Sequence, residues 1–255
     1  MILDDVTMPE YERGVRSSST VIIPFGSLEE HGGHLPLCTD TLQVVEVCRR
    51  VAERTGVHLA PAVAYGVCRS SRNHPGTVGV TTATLRAIAI DLVRDFHRQG
   101  LRSFVLISGH AGKTHVLTLV DAGEQLLDEL PDIRVSVISE YNEIQEAGKA
   151  LVAGEADSHA GEIETSRVMF LRPELVKGTS PAEWPVFPDA RLVRDKRRHW
   201  RGGVWGDPAN ASAEKGRQLT EIAVGRVIEL IRELEDYRET TDGGALPRAG
   251  SGDGF

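Results

Sequence analysis

Four short apolar runs rich in β-branched residues, each followed by a polar loop and then by helical periodicity, constrain this chain of 255 residues more than any other feature. Strand, loop and helix in repetition is the pattern of crossover units, which build a mostly parallel sheet with helices on its faces. The first run is Thr20 to Phe25 (TVIIPF). A polar loop from Gly26 to Thr39 follows, and Leu42, Val45, Cys48 and Ala52 then recur at helical spacing. The second run is His58 to Ala64, with a Gly- and Pro-containing loop and a helix from Thr82 to Arg98 behind it. Phe104 to Ile107 precedes the glycines of SGHAG and a helix bearing Val116, Leu119, Val120, Leu126 and Leu127. Val135 to Ile138 precedes a shorter helical stretch.

Residues from Arg172 to Pro208 carry prolines and tryptophans with poor periodicity, so an irregular excursion that covers something is expected there. A last amphipathic helix is expected from Ala211 to Tyr237. One domain over residues 1–238 and a disordered Gly-rich tail over 239–255 complete the expected organisation. With 40% hydrophobic and 26% charged residues the composition is that of an ordinary globular protein. The net charge of -8 disfavours nucleic acid and anionic membranes as partners and leaves a small molecule as the expected ligand. No apolar run approaches the length of a membrane span, and the N-terminal MILDDVTMPEYERG is acidic where a secretory leader is basic, so a cytoplasmic location is expected. Cys38, Cys48 and Cys68 lack paired spacing, so any metal ligands are expected to be oxygen and nitrogen.

The richest chemistry lies in GSLEEHGGHLPLCTD, which packs Glu29, Glu30, His31, His34 and Asp40 into the loop after the first strand. In open α/β sheets ligands bind beyond the carboxyl ends of the strands. Glu29 and His31 are two residues apart and project to one side of an extended chain, and mixed carboxylate and imidazole donors suit zinc, manganese or iron. Solvated loop charge explains any one of these residues, but not the cluster. The acidic pairs Asp4–Asp5 and Glu235–Asp236 lack histidine and read as surface charge. His110 occupies another strand-end loop, and DSHAGEIETS brings His159, Glu162 and Glu164 to a helix start, where capping is the plainer role for the acids.

GSLEEHGGHLPLCTD, His110 in SGHAG and DSHAGEIETS, joined by RSSRNHPGT ending at Thr77 and by Gly203 to Gly216, resemble the creatininase family of amidohydrolases in order and spacing over most of the chain. The resemblance implies a creatininase-like three-layer α/β/α fold, a homo-oligomer as large as a hexamer, and two divalent metal ions, zinc, iron or manganese, at the strand ends. Glu29 and His110 would hold one ion, His31 the other, and Asp40 would bridge them, with His159 as proton shuttle beside the activated water. His34, His74, Gly76, Thr77 and Tyr141 would bind substrate.

Three departures narrow the activity. Creatinine-hydrolysing members have Glu where this chain has Gly112, tryptophans near the substrate where it has Tyr141 and Glu155, and many relatives have Asn where it has Lys113. Creatinine is therefore not the expected substrate. HLPLCTD and HAGEIETS look like the branch of formamidopyrimidine-nucleotide deformylases and mycofactocin-precursor peptidases, which points to hydrolysis of a formamide or short peptide-like amide. The alternatives are a cyclic amide or a metal-binding protein that has lost catalysis. With Gly112 unable to coordinate, another carboxylate is expected to complete the second ion. Glu162 and Glu164 point ~200° apart at ~100° per residue, and Glu164 shares a face with Val168 and Leu171, so Glu164 is expected inward and Glu162 to be a dipole-facing or surface acid. Arg69, Arg72 and Lys113 could reach a phosphate, although surface solubility explains them equally well.

Overall fold

A computed structural model of the chain describes residues 1–154 and 156–237. The expected tail over 239–255 and Glu155 lie outside the described residues. Strands β1 (Thr20–Phe25), β2 (His58–Leu59), β3 (Ser103–Ser108) and β4 (Arg134–Ser139) form one parallel sheet in the order β2-β1-β3-β4. Helices α1 (Met8–Ser17), α2 (Thr39–Thr55), α3 (Thr82–Arg98), α4 (Lys113–Glu129), α5 (Glu140–Ala147), α6 (Glu162–Leu171) and α7 (Ala213–Asp236) surround it. Thr20 to Phe25 lies opposite Ser103 to Ser108, which in turn lies opposite Arg134 to Ser139, so the carboxyl ends of three strands stop at one level.

Every residue of β1 and β3 is buried, as a parallel sheet covered on both faces requires. Their side chains divide by the two-residue period of a strand. Val21, Ile23, Phe25, Phe104 and Leu106 face a core shared with Leu85, Ala89 and Val93 of α3 and Leu119, Ala122 and Leu126 of α4. Ile22, Val105 and Ile107 face the other core, with Val44, Val47 and Val51 of α2 and Leu219, Ala223 and Val227 of α7. These are the three layers expected from the repeated pattern. Among the described residues, no helix is long and apolar enough to cross a membrane.

One expected strand is shorter than its pattern. Only His58 and Leu59 pair regularly with β1; Ala60 and Val63 then reach Ile22 and Pro24 by single hydrogen bonds of 2.9 Å. This is the sheet edge, and Pro61 has no N–H to extend a ladder there. The stretch from Arg172 to Pro208 is irregular as expected, with short 3-10 turns at Pro173–Leu175 and Lys196–Arg198.

Helix α6 is not a surface helix. Glu162 to Val168 are all buried, and the buried Arg167 pairs with Glu140. Its closest neighbour is α7, where a Cβ at Gly216 would stand 1.9 Å from the Ser166 carbonyl oxygen. Two glycines in α7 therefore give opposite expectations. Gly225 has open space about it, so Gly225→Ala should stabilise by up to ~1 kcal/mol through helix propensity alone. In Gly216→Ala the same gain is outweighed by a clash with backbone, which costs ~1–3 kcal/mol, so net destabilisation is expected. Urea denaturation of the two variants checks this; equal stability would mean that α6 and α7 do not meet at Gly216.

Candidate metal centre

Two strand-end loops and the starts of two helices place the chemically capable side chains. The loop after β1 carries Glu29, Glu30 and His31, the first turn of α2 carries Asp40, the loop after β3 carries His110, and the first turn of α6 carries Glu164. Gly109 allows the convergence, because a Cβ there would lie 2.3 Å from the Asp40 carbonyl oxygen. Without it His110 could not be brought against the start of α2.

Asp40 is the centre of the cluster. Its Oδ1 lies 3.1 Å from Nε2 of His31 and its Oδ2 lies 3.1 Å from Nδ1 of His110. Nδ1 of His110 is also 2.9 Å from Glu29 Oε2, and Nε2 of His31 is 3.5 Å from Glu164 Oε2. Serines orient the carboxylates: Ser27 Oγ donates to Asp40 Oδ2 at 2.6 Å, and Ser71 Oγ donates to Glu29. The opposite nitrogen of each imidazole donates to a backbone carbonyl, His31 to Glu29 at 3.1 Å and His110 to Val67 at 3.4 Å. Each ring thus turns its remaining nitrogen onto two carboxylates, as outer hydrogen bonds orient metal-ligating histidines.

The electrostatics follow from this packing. Burial opposes charge on Glu29, but His110 and His159 outweigh it and hold the carboxyl down to about 2. Burial is likewise outweighed at Asp40, which His31 and His110 hold well below its usual range. His31 and His110 are pushed the other way, well above the ordinary imidazole value, because the carboxylates overcome the cost of burial. A buried group of this kind demands positive charge at its centre.

Two sets of donor atoms have the spacing to hold an ion. Glu29, Cys68 and His110 form one, and His31, His159 and Glu164 the other, with the donor atoms of each set within 4.8 Å of one another. Asp40 reaches both. Cys68 widens the expected oxygen and nitrogen donor set; burial and the nearby Glu29 push its thiol up to about 12. Nothing in the spacing of the three cysteines marked it, and only the fold brings it to Glu29.

His159 stacks on His31 with ring centroids 4.2 Å apart. Its Nε2 donates to the Glu30 carbonyl at 2.7 Å, and its Nδ1 makes no hydrogen bond among the described residues. The ring is set by a strained strap, in which Ala160 has a φ of 49° and donates its N–H to Glu164 Oε2 at 2.6 Å. The cap of α6 is Asp157, which accepts from the Glu162 and Ile163 amides at 2.5 and 3.1 Å. The acids within the helix start are thereby released from capping. Glu164 faces the site. Glu162 corrects the expectation of a surface acid: it is buried and pairs with Lys215 of α7. Amphipathicity does not reveal this because Glu162 to Val168 of α6 are buried on every side.

These groups form the floor of a cavity of about 280 Å³, whose wall includes Arg69, Ser70, Gly112, Lys113, Thr114, Ser158, Lys196, Trp200 and Trp205. The irregular excursion supplies Lys196 and both tryptophans, so what it covers is this site. Its tryptophans and Lys196 escaped the sequence analysis because aperiodic loops carry no positional signal. A Cβ at Gly112 would fall 2.4 Å from Nε2 of His110, so with this ring orientation no side chain fits there.

None of the five residues expected to bind substrate lines the cavity; each is engaged by the protein instead. His34 donates or accepts at Ser180 Oγ and Thr165 Oγ1 (3.0 and 2.9 Å), and burial, aided by His31, lowers its pKa to about 4. His74 bonds the Trp200 carbonyl at 2.6 Å and Thr77 Oγ1 accepts from the Glu30 amide at 3.1 Å. Gly76 makes a turn at φ 88° against Leu37, and Tyr141 donates to Asp157 at 3.1 Å. They brace the groups that form the site.

Comparison with known proteins agrees with this fold. The family model for creatininase, described as creatinine amidohydrolase, matches residues 4–231. Creatinine amidohydrolase of Pseudomonas putida is 32% identical over 258 residues, covering 91% of this chain and 96% of the relative. The mycofactocin precursor peptide peptidase of Mycobacterium ulcerans is also 32% identical, over 214 residues, covering 78% and 79%. A crystal structure of creatinine amidohydrolase superposes with a TM-score of 0.84 at 28% identity, covering 92% of this chain and 98% of that one. Solved creatininases at 30% identity, covering 91% of this chain and 97% of their own, include a manganese form and one of Zn-Zn type, with TM-scores of 0.81 and 0.80.

Exchange of either α6 acid separates their roles. Glu164→Gln should lower divalent metal content, whereas Glu162→Gln should leave metal content unchanged and cost about 1–3 kcal/mol by stranding Lys215. Elemental analysis and urea denaturation of the purified variants check both. Unchanged metal in Glu164→Gln would remove Glu164 from the donor set.

Proposed function

The chain belongs to the creatininase family, and we propose that it hydrolyses the C–N bond of a formamide or short peptide-like amide at a centre for two divalent metal ions. Members of the family are metal-dependent amidohydrolases, and this chain is an enzyme of that kind. The observation that carries the two-ion reading is Asp40, whose two oxygens point at imidazoles belonging to different donor sets, 3.1 Å from each. One set is Glu29, His110 and Asp40, beside Cys68; the other is His31, Glu164 and Asp40. The donors are buried, partly soft and mutually oriented, which suits zinc, manganese or iron.

Divalent ions held there supply Lewis acidity, lowering the pKa of water from ~15.7 towards ~7 and polarising an amide carbonyl. The chain itself supplies proton transfer. His159 keeps the hydrogen on Nε2, which faces a carbonyl that can only accept, and leaves Nδ1 to take a proton from the attacking water and return it to the leaving nitrogen. Ring stacking on His31 holds the imidazole in the lining of the cavity. Trp200, which is 2% exposed, and Trp205 close one side against bulk water. No covalent intermediate is required, and Cys38 lies outside the cavity.

Similarity does not choose the substrate, since a creatinine amidohydrolase and a peptide peptidase match at the same identity. Gly112 supports an acyclic amide over creatinine, because it supplies no side chain where a creatinine-type site would carry a carboxylate, and the His110 ring leaves no room for one.

Chelator should abolish turnover of the best substrate in a screen of formamides, short peptides and cyclic amides, and added zinc or manganese should restore it. Full activity after complete metal removal would reject the mechanism. His159→Gln should retain its metal and lose ~10²–10⁴-fold in kcat, the range of a general acid–base. Metal content and kcat measured on the same preparation distinguish proton transfer from ligation: loss of metal in that variant would make His159 a ligand.

A further inference from the structure

The cavity has a floor of carboxylates and imidazoles but a rim of cations. Arg69, Lys113 and Lys196 line it, and Arg72 lies close enough that it and Arg69 add to burial in lowering the Lys196 ammonium. None of the four has a carboxylate partner among the described residues. Arg49, Arg50, Arg54, Arg86, Arg94 and Arg226 by contrast rest on acids, although exposed cations such as Arg191, Arg194, Arg197 and Arg201 do not; what sets the four apart is that they meet at one cavity. Four unpaired cations gathered at one mouth repel one another, a cost that scattering them over a surface of net charge -8 would avoid.

The floor does not account for them. On the reading above, two divalent ions already balance the four buried carboxylates Glu29, Glu30, Asp40 and Glu164, so the rim has no counter-charge in the protein. The rim is also placed by structure. Lys196 is half-buried and fixed through its amide to Asn73 Oδ1 at 3.2 Å, and Ser70 and Thr114 put hydroxyls on the same wall. Lys113 and Thr114 open the 17-residue helix α4, whose first turn holds no acid and whose N-terminal amides add positive potential.

We propose that the rim formed by Arg69, Lys113 and Lys196 binds an anionic group of the substrate, a carboxylate or a phosphate, and holds the scissile amide over the floor. The reading rests on the proposed amidohydrolase site and adds its substrate class: an acyclic amide with a negative charge on the side away from the bond cleaved. Arg69 can present two parallel N–H donors to either anion, while Lys113 and Lys196 act as point charges. Neutral and cationic amides, creatinine among them, gain nothing from such a rim.

The test compares three probes on the metal-loaded protein by isothermal titration calorimetry: N-formylglycine, N-formylethanolamine O-phosphate and the neutral N-formylglycinamide. At least one anion should bind about tenfold or more tightly than the neutral amide. In Arg69→Gln/Lys196→Gln the preference should collapse while metal content and binding of the neutral amide stay unchanged. Preference for the phosphate alone or the carboxylate alone identifies which anion the rim serves. Equal binding of all three probes, no binding of either anion in the millimolar range, or a preference that survives the double substitution overturns the proposal. Turnover of the same probes is read separately, so charge preference without hydrolysis would uphold the rim and overturn the formamide reading of the substrate.

Discussion

Asp40 between His31 and His110 is the contact on which the rest of the site depends. Both of its oxygens are committed, one to each imidazole, and its own position is set by the first turn of α2 and by Ser27. Removing a carboxylate from water is costly unless it is surrounded by compensating donors or charge. The serines donate to Glu29 and Asp40, while the imidazoles that offset their charge are turned inward by backbone carbonyls and brought close at Gly109. The parallel sheet matters because it ends β1 and β3 at one level, so loops far apart in sequence meet over one helix start.

The second half of the site depends on a different device. Asp157 caps α6 through two amides and is held by Tyr141, and burial dominates over these bonds in pushing its carboxyl up to about 6. This frees Glu164 to face His31 and forces the strap through Ala160 into the left-handed region, which swings His159 over His31. The buried Arg167–Glu140 pair and the tight seat of α7 on α6 fix the helix that carries Glu164. Removing one partner of this buried pair would cost ~3–5 kcal/mol by stranding the other charge, so Arg167 and Glu140 tie α6 to the start of α5 as a unit.

Much of this architecture was legible in the chain. The apolar runs at Thr20, Phe104 and Val135 and the helix from Thr82 to Arg98 lie where periodicity placed them, because strands buried on both faces leave unbroken apolar signatures. Glu29, His31, Asp40 and His110 were visible as clusters in strand-end loops, and helical angles were enough to prefer Glu164 to Glu162. The same angles failed for the surroundings of Glu162, since an argument from amphipathicity assumes a solvent side that α6 does not have. The five residues expected to touch substrate were placed by resemblance to motifs, and motifs do not say whether a polar atom faces a cavity or a neighbouring backbone.

By itself, then, the sequence determined the layered fold, the carboxylates and imidazoles of the site and the loops that carry them, because periodicity and local clustering are short-range properties. Tertiary structure alone decided that Asp40 stands between two imidazoles, that Cys68 lies beside Glu29, and that Lys196, Trp200 and Trp205 wall the cavity they share with Arg69. Those relations depend on strand order, register and the path of an aperiodic excursion. They join residues as much as 176 positions apart, such as Glu29 and Trp205, and no local pattern encodes a distance of that kind.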